Sequence, residues 1–263
     1  MQVRLFVTCL IDIFRPSTAQ AAVRVLERRG ATVAAPKEQT CCGQFAYNAG
    51  YRDEARVMAL HFLDAFSESG CNAPILALSG SCAAMVREIY PELVGDDARY
   101  PAVRAAVADL SAWLAVHPGP SSPDAHDPVP VAFHTGCHMR RMLALTEEPF
   151  QVLAQVGVQA RELRDADQCC GFGGTYAMAE PEVSTAMADA KLERLQEAQE
   201  DGVRALVGSD WGCLLHMGGR LSRLGRAAPV LHLADLVDLA DSGPITDPGL
   251  RDAAVFGSPA GEG

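Results

Sequence analysis

The sequence lacks the features that mark membrane, secreted and nucleic-acid-binding proteins. It has no run of 18 apolar residues, so no membrane-spanning helix is expected. The N-terminal segment MQVRLFVTCLIDIF has one early arginine and no small-residue cleavage site, which argues against a signal peptide. Basic residues are scarce, because 22 Lys and Arg stand against 33 Asp and Glu. The net charge of −11 disfavours nucleic acid or an anionic membrane surface as a partner. We therefore expect a cytoplasmic protein.

Motifs for nucleotides and organic redox cofactors are also missing. No G-x-G-x-x-G fingerprint follows the first predicted strand, there is no P-loop, and nothing resembles a flavin site. The segment Gly171-Phe172-Gly173-Gly174 comes nearest to a nucleotide loop but lacks the required spacing. The dense C-x2-C-x2-C-x3-C run of ferredoxin-type proteins is absent too. In a redox reaction, a partner protein would therefore have to supply those groups.

Cysteine, by contrast, is abundant and follows a repeated pattern. Eight of the nine cysteines form two copies of one arrangement, in which 31 residues separate the first cysteine from a Cys-Cys-Gly turn. The first copy contains Cys9, Cys41, Cys42 and Cys82, and the second contains Cys137, Cys169, Cys170 and Cys213. A repeat of this length indicates a duplicated domain. The ninth cysteine, Cys71, is expected to be a small apolar or loop residue.

The order of predicted elements indicates an α/β fold. Apolar runs of strand length alternate with helical patterns, which is typical of parallel sheets. Strands are expected at residues 3–8, 32–35 and 74–78 in the first half and at 129–134, 158–163, 205–208 and 229–233 in the second. Longer helices are expected at 44–69, 101–116 and 140–156. The sequence therefore predicts two pseudo-symmetric Rossmann-like halves, each a small parallel sheet flanked by helices.

Composition changes after residue 116. The segment HPGPSSPDAHDP, residues 117–128, is rich in proline and polar residues and is predicted to be a linker. It separates a first cysteine-rich domain, residues 1–116, from a second, residues 129–241. Residues 242–263 are rich in proline, glycine and serine and are predicted to form a flexible tail.

Each set of four cysteines is expected to collect at one edge of its sheet. Right-handed crossovers place the carboxyl ends of parallel strands at the same edge, where ligands bind in open α/β sheets. All four cysteine positions of each half follow predicted strand ends. Because four thiols are what a metal or iron–sulfur site needs, the sequence predicts one such site in each half.

The adjacent cysteines favour an iron–sulfur cluster over the alternatives. A disulfide between neighbours needs a strained ring, and a single tetrahedral zinc usually takes ligands at C-x2-C spacing. A cluster of several irons is wider and accepts neighbouring thiolates on different iron atoms. Gly43 and Gly171 let the backbone approach such a cluster, and the helix expected after each glycine offers N–H groups to an anion. Zinc and free dithiols stay open as alternatives.

The motifs themselves resemble a known family. The segments VTCLIDIFRP, CCGQFAYNAGYRDEA, SGSCAAMV, CCGFGGTYAM and GSDWGCLLHMGGRL are similar to the cysteine-rich CCG domains of heterodisulfide reductase and of the glycolate oxidase iron–sulfur subunit. The closer resemblance is to the lactate utilization protein A family, and it covers the chain from Val3 to about Leu239.

This resemblance implies an oxidoreductase subunit that works with two partner subunits in oxidising L-lactate to pyruvate. One of those partners is expected to be a ferredoxin-type iron–sulfur protein. The family also implies the ligand sets: Cys9, Cys41, Cys42 and Cys82 for one site, and Cys137, Cys169, Cys170 and Cys213 for the other. One or two iron–sulfur clusters, expected to be [4Fe–4S], would then carry electrons.

The sequence departs from the heterodisulfide reductase pattern at two positions. That family has a fifth cysteine in each copy, where this chain has Ser79 and Asp210. Four thiolates remain in each half, which is enough for an ordinary [4Fe–4S] cluster. The departure favours the lactate-utilization branch. A glycolate or disulfide oxidoreductase subunit, a zinc-stabilised non-catalytic subunit, and a mixed protein with zinc in one half stay open.

Polar residues beside the second cysteine set have two interpretations. His134 and His138 flank Cys137, and packing or capping at a strand end is the simpler interpretation. The alternative is that they donate hydrogen bonds to a cluster or protons to a substrate. Arg140 and Arg141 are expected on a solvated helix face, with binding of a carboxylate as the alternative.

Overall fold

The computed structural model describes residues 1–67, 73–120, 129–226, 228–243 and 245, and it contains two four-stranded parallel sheets. The strands of the first sheet are β1 (Gln2–Phe6), β2 (Thr32–Ala34), β3 (Ile75–Ala77) and β4 (Val107–Asp109). Those of the second are β5 (Val129–His134), β6 (Val158–Glu162), β7 (Leu206–Gly208) and β8 (Val230–His232). Both sheets have the same order, β2-β1-β3-β4 and β6-β5-β7-β8. The predicted α/β fold with two similar halves is confirmed.

Helices cover both sheets. The helices of the first half are α1 (Cys9–Phe14), α2 (Pro16–Arg28), α3 (Gln44–Asn48), α4 (Arg52–Phe66), α5 (Gly80–Ala84), α6 (Tyr90–Val94), α7 (Tyr100–Ala106) and α8 (Leu110–Val116), with a π-helical turn at Met85–Ile89. Those of the second half are α9 (Cys137–Arg141), α10 (Glu148–Gln155), α11 (Tyr176–Ala179), α12 (Pro181–Glu200), α13 (Trp211–Arg223) and α14 (Leu233–Asp241). Helices α1, α5, α9 and α13 each begin within two residues of a cysteine, so the thiols lie at helix starts.

Three predicted helices were wrong in their extent. The helix expected at 101–116 is interrupted by β4, because Val107 is extended and pairs with Ile75 of β3. Asp109 then caps α8 by accepting a hydrogen bond from the Ser111 backbone N–H at 2.8 Å. The helix expected at 44–69 divides at Gly50, which has φ +87°. The helix expected at 140–156 divides into α9 and α10.

Cys71, most of the predicted linker and most of the predicted tail lie outside the described residues.

The two halves share an apolar core. Helix α2 of the first half packs against α14 of the second, and α10 of the second packs against α8 of the first. The two contacts are equivalent, because α2 and α10 are the second helices of their halves and α8 and α14 are the last ones. A single cluster of buried residues includes Leu26 and Leu114 as well as Leu153 and Leu236. The domain boundaries at residues 116 and 129 stay predictions, but the core does not stop there.

A buried ion pair fixes one of these helix contacts. Arg29, just after α2, and Asp241, at the end of α14, lie 2.6 Å apart between Nη1 and Oδ2, and each side chain is 1% exposed. Arg29 also donates to the Val25 carbonyl at 3.0 Å. Removing one partner of such a pair leaves an uncompensated charge in the core.

We therefore expect Arg29→Met to destabilise the fold by about 3 kcal/mol. The double variant Arg29→Met with Asp241→Leu should recover most of this loss, because it replaces both charges by apolar groups. Urea unfolding followed by circular dichroism measures both. Equal stability of the single variant and the parent would show that the pair does not hold the halves together.

Candidate metal centre

The first four cysteines come together at the carboxyl edge of the first sheet. Cys9 begins α1 after β1, and Cys82 lies in α5 after β3, while Cys41 and Cys42 lie in the turn before α3. The Sγ atoms of Cys9 and Cys41 are 3.5 Å apart, and those of Cys42 and Cys82 are 3.3 Å apart. All four thiols are free. We call this group the first thiol site.

The second set has the same arrangement. Cys137 begins α9 after β5, Cys213 lies in the first turn of α13 after β7, and Cys169 and Cys170 occupy the turn that follows β6. Cys170 and Cys213 are buried, like Cys42 and Cys82 in the first half, and all four thiols are free. We call this group the second thiol site.

Each Cys-Cys-Gly turn depends on its glycine. Gly43 has φ +84° and Gly171 has φ +89°, a left-handed conformation that glycine adopts without strain. Their backbone N–H groups point at sulfur, from Gly43 to Cys41 Sγ at 3.4 Å and from Gly171 to Cys169 Sγ at 3.3 Å. A Cβ at Gly171 would lie 2.4 Å from the Ser184 carbonyl oxygen. A side chain at Gly171 would therefore collide with α12, which packs against the turn that holds Cys169 and Cys170.

In each site the pKa of one thiol is lowered and the pKa values of its partners are raised. Hydrogen bonds from Cys42 and Cys9, with a further one from the Gly43 N–H, lower the pKa of Cys41 to about 3. Hydrogen bonds from Cys137 and Cys170 likewise lower the pKa of Cys169. The same contacts raise the pKa of their thiol partners, since each partner donates to a thiolate. One thiolate in each half is thus ready to bind a cation, and metal binding would displace the remaining thiol protons.

The second thiol site also has a buried imidazole. A ring nitrogen of His134, Cys170 Sγ and Cys213 Sγ all lie within 4.8 Å of one another. His134 is 3% exposed, and its Nε2 has no hydrogen-bond partner. Burial, with a smaller contribution from the charge of Lys191, lowers the pKa of His134 to about 4, so the ring is neutral and able to bind a metal. Burial also lowers the pKa of Lys191, against the opposing charge of Cys170.

Both thiol sites open into one cleft between the halves. All eight cysteines line it, and its empty volume is about 730 Å³ including the open mouth. Gln44, His138 and Phe172 also line the cleft. The sequence predicts one site in each half, and the packing of the halves brings both sites into one cleft. The symmetric repeat was the signal that could have indicated it.

Ser79 and Asp210, which stand where a related family has a fifth cysteine, contact each other across the cleft. The Ser79 hydroxyl donates to Asp210 Oδ1 at 3.2 Å. The Ser81 backbone N–H donates to Oδ2 at 2.9 Å, and the Ser81 hydroxyl donates to Oδ1 at 3.1 Å. These hydrogen bonds therefore connect the two halves at residues that line the cleft.

We expect Asp210→Ala to destabilise the protein by about 2–3 kcal/mol, because three donors lose a charged acceptor. Asp210→Asn should cost less, since its carbonyl oxygen still accepts a hydrogen bond. Thermal unfolding of the two variants beside the parent measures the difference. If alanine and asparagine behave alike, the contact does not stabilise the interface between the halves.

Of the other polar candidates, His138 lines the cleft, whereas Arg140 and Arg141 are not among its lining residues. His138 lines the cleft, with Nδ1 3.5 Å from Cys137 Sγ and Nε2 3.2 Å from Gln44 Nε2. Arg140 forms an ion pair with Glu162, and Arg141 donates to the Asp167 carbonyl at 2.8 Å. The arginines are thus engaged in local contacts, while His138 faces the thiols.

The residues of both sites fit a thiolate-ligated metal group. Each site offers four free thiols, the ligand number of either a [4Fe–4S] cluster or tetrahedral zinc. The backbone N–H groups of Gly43 and Gly171 donate to a sulfur atom in each site. A ring nitrogen of His134 is a further donor at the second site. The sites therefore support metal or iron–sulfur binding without deciding between the two.

In the part of the chain that the structure describes, none of the helices has both the length and the apolar character needed to cross a membrane.

Comparison with known proteins agrees with the repeated pattern. The model of the CCG cysteine-rich domain matches residues 3–87 and again residues 131–218. Lactate utilization protein A of Halalkalibacterium halodurans is 37% identical over 243 residues, which are 90% of this chain and 97% of the relative. Lactate utilization protein A 1 of Bacillus cereus is 38% identical over 243 residues, covering 90% of this chain and 99% of the relative.

A solved structure shares the fold. The crystal structure of a hypothetical protein from Helicobacter pylori superimposes with a TM-score of 0.65 at 13% identity, over 95% of this chain. This chain spans 51% of the length of that structure. At this identity the likeness concerns the fold alone. From the doubled domain match and the identity to full-length relatives, the chain belongs to the CCG cysteine-rich domain family and, within it, to the lactate utilization protein A family.

Proposed function

We propose that the chain is the iron–sulfur subunit of a cytoplasmic multi-protein system that oxidises L-lactate to pyruvate. The observation that carries this proposal is the meeting of two sets of four free thiols in one cleft. The names of the full-length relatives supply the substrate.

The chain's own residues would hold and orient the bound groups. The four thiolates of each site supply ligands, and the Gly43 and Gly171 N–H groups donate to the sulfurs of Cys41 and Cys169. An iron–sulfur cluster, when bound, supplies one-electron transfer. Hydrogen bonds from Ser79 and Ser81 to Asp210 link the two halves beside the sites.

Lactate oxidation needs more than this chain carries. Removing two electrons from a 2-hydroxy acid requires a two-electron acceptor, and the sequence contains no flavin or dinucleotide motif. The proposed complex therefore includes partner subunits, one of them a ferredoxin-type iron–sulfur protein that relays electrons. We propose L-lactate as the substrate of the complex as a whole.

Anaerobic reconstitution followed by iron and sulfide counting tests the proposal. We expect about eight irons and eight sulfides per chain when both sites hold [4Fe–4S] clusters. Electron paramagnetic resonance after dithionite reduction should show the reduced clusters. A protein that retains only zinc, or no metal, would contradict the electron-transfer role.

A zinc-stabilised, non-catalytic subunit is the second candidate. The grouping of His134 with Cys170 and Cys213 favours it, because mixed thiolate and imidazole ligation is common for structural zinc. This candidate predicts a colourless protein with about one zinc per four thiolates. Zinc in the second half beside a cluster in the first would give about four irons and one zinc per chain.

A glycolate or disulfide oxidoreductase subunit is the remaining alternative. Its partners would differ, so affinity purification of the complex from its own cell, with assay of lactate, glycolate and disulfide substrates, separates these cases.

A further inference from the structure

The two thiol sites have the same ligands but different surroundings. Phe6 and His134 occupy equivalent positions, since each ends the first strand of its sheet three residues before the first cysteine of its set. The strand register confirms this match, because Phe6 pairs with Ala77 of β3 and His134 pairs with Gly208 of β7. A phenyl ring in the first half therefore corresponds to an imidazole in the second.

A second exchange lies on the helix after each Cys-Cys-Gly turn. A Cβ at Gly43 would face Ala55 and Met58 of α4, and a Cβ at Gly171 would face Ser184 and Met187 of α12. Ala55 therefore corresponds to Ser184, and Met58 corresponds to Met187, when the two helices are compared.

Counted from them, Phe62 of α4 corresponds to Lys191 of α12, because each lies four residues after the methionine. The aromatic pair of one half is thus replaced by two nitrogen-bearing side chains in the other.

In the first half these positions form an apolar wall. The rings of Phe6 and Phe62 meet edge to face with centroids 4.9 Å apart, and Phe66 stacks on Phe62 at 4.5 Å. Tyr90 extends the group and donates to the Cys42 carbonyl at 3.0 Å. Arg4 is a buried cation next to this cluster, and its guanidinium donates to the carbonyls of Phe66 and of Ala73, which precedes β3.

In the second half the wall is polar and positively charged. Lys191 is 1% exposed, and its Nζ donates to the Asp165 carbonyl at 2.8 Å. The positive charge of Lys191 acts to lower the pKa of Cys213 and of His134, and the charge of Cys170 acts to raise the pKa of Lys191. His134, whose Nε2 is unpaired, lies within 4.8 Å of both sulfurs. Both nitrogen groups are therefore placed to interact with negative charge at the second thiol site.

We propose that His134 and Lys191 give the second thiol site the higher reduction potential, so that an electron passing between the two sites is held at the second. This inference rests on the proposed iron–sulfur function. Reduction adds negative charge to a thiolate-ligated group, and a buried cation or a hydrogen-bond donor stabilises the reduced form more than an apolar wall does. One electron leaves the first site and one arrives at the second, with no covalent bond made or broken. The oxidation of lactate by the complex supplies the electron.

The test compares single-site proteins. Cys170→Ser retains only the first site and Cys42→Ser only the second, so each midpoint potential can be measured by titration followed with electron paramagnetic resonance. We expect the second site to have the higher potential. In the Cys42→Ser background, Lys191→Met should lower the ratio of reduced to oxidised second site at a fixed potential by about tenfold or more, because a buried unit charge acts through a low effective dielectric.

Matched variants separate charge from structure. Lys191→Arg keeps the positive charge and should restore the parent ratio, while His134→Phe copies the first half and should lower the ratio independently. Arg223→Met removes the same charge from an exposed position on α13, about 18 Å along the helix from its start, and should have no effect. Iron and sulfide counts on every variant show whether the site is still loaded.

The outcomes distinguish this inference from the proposed function. Fully loaded sites with the first site at the higher potential, or with an unchanged ratio in both Lys191→Met and His134→Phe, overturn the inference and leave the iron–sulfur function intact. A parent protein that binds only zinc overturns both.

Discussion

Cys170→Ser is expected to empty the second thiol site and leave the first one loaded. Cys170 is 2% exposed and forms hydrogen bonds with Cys169 and Cys213, so solvent has little access to its position in the site. A serine hydroxyl does not ionise readily and is a poor ligand for soft metal groups. Iron and sulfide should fall to about half of the parent values when both sites hold [4Fe–4S] clusters. Lactate-dependent growth of a complemented deletion strain should be lost.

Cys71→Ser is the matched control, because it makes the same chemical change at the one cysteine outside the repeated pattern. This variant should keep the parent metal content and support growth. The ligand assignment is wrong if both variants keep full iron and sulfide, or if Cys71→Ser loses as much metal as Cys170→Ser.

Gly171→Ala should be the most damaging glycine substitution of those in the turns. Its Cβ would lie 2.4 Å from the Ser184 carbonyl oxygen and 2.9 Å from Met187 Cβ, at a backbone φ of +89°. The left-handed conformation and the collision together should cost about 3 kcal/mol. Helix α12 would have to move away from the turn that holds Cys169 and Cys170, so the second site should also lose metal. Urea unfolding and iron counting measure the two effects.

Two other glycines give a graded comparison. Gly157 has φ +75° with open space around it, so Gly157→Ala should cost about 1 kcal/mol from backbone strain alone and keep both sites loaded. At Gly43 the nearest contact is 3.2 Å, and Gly43→Ala should fall between the two. An equal loss at Gly157 and Gly171 would mean that collision with α12 does not matter.

Much of the architecture could be predicted because the chain repeats itself. Two copies of a four-cysteine pattern, each interleaved with strand and helix signals, specify two similar parallel sheets. Strand β4 was missed because residues 101–116 have a continuous helical pattern, and only pairing with the edge of β3 draws Val107 into the sheet. Local propensity does not contain that long-range contact.

The contacts between the halves were harder to predict for the same reason. Nothing local indicates that α2 packs on α14, or that Ser79 bonds to Asp210 across 131 positions of sequence. The sequence did identify Ser79 and Asp210 as equivalent positions, but only the packed halves place them against each other. The sequence places His134 beside Cys137, where packing is the simpler interpretation. Its electrostatic interaction with Lys191 depends on how β5 and α12 pack, and no local pattern indicates it.

Residue type and spacing are enough to specify the number of thiols, their division into two sets and the glycine that follows each Cys-Cys pair. The tertiary structure decided that both sets open into one cleft and that an aromatic wall backs one set and a polar wall the other. Those features arise from side chains that are distant in sequence and meet only when the two halves bury their common core.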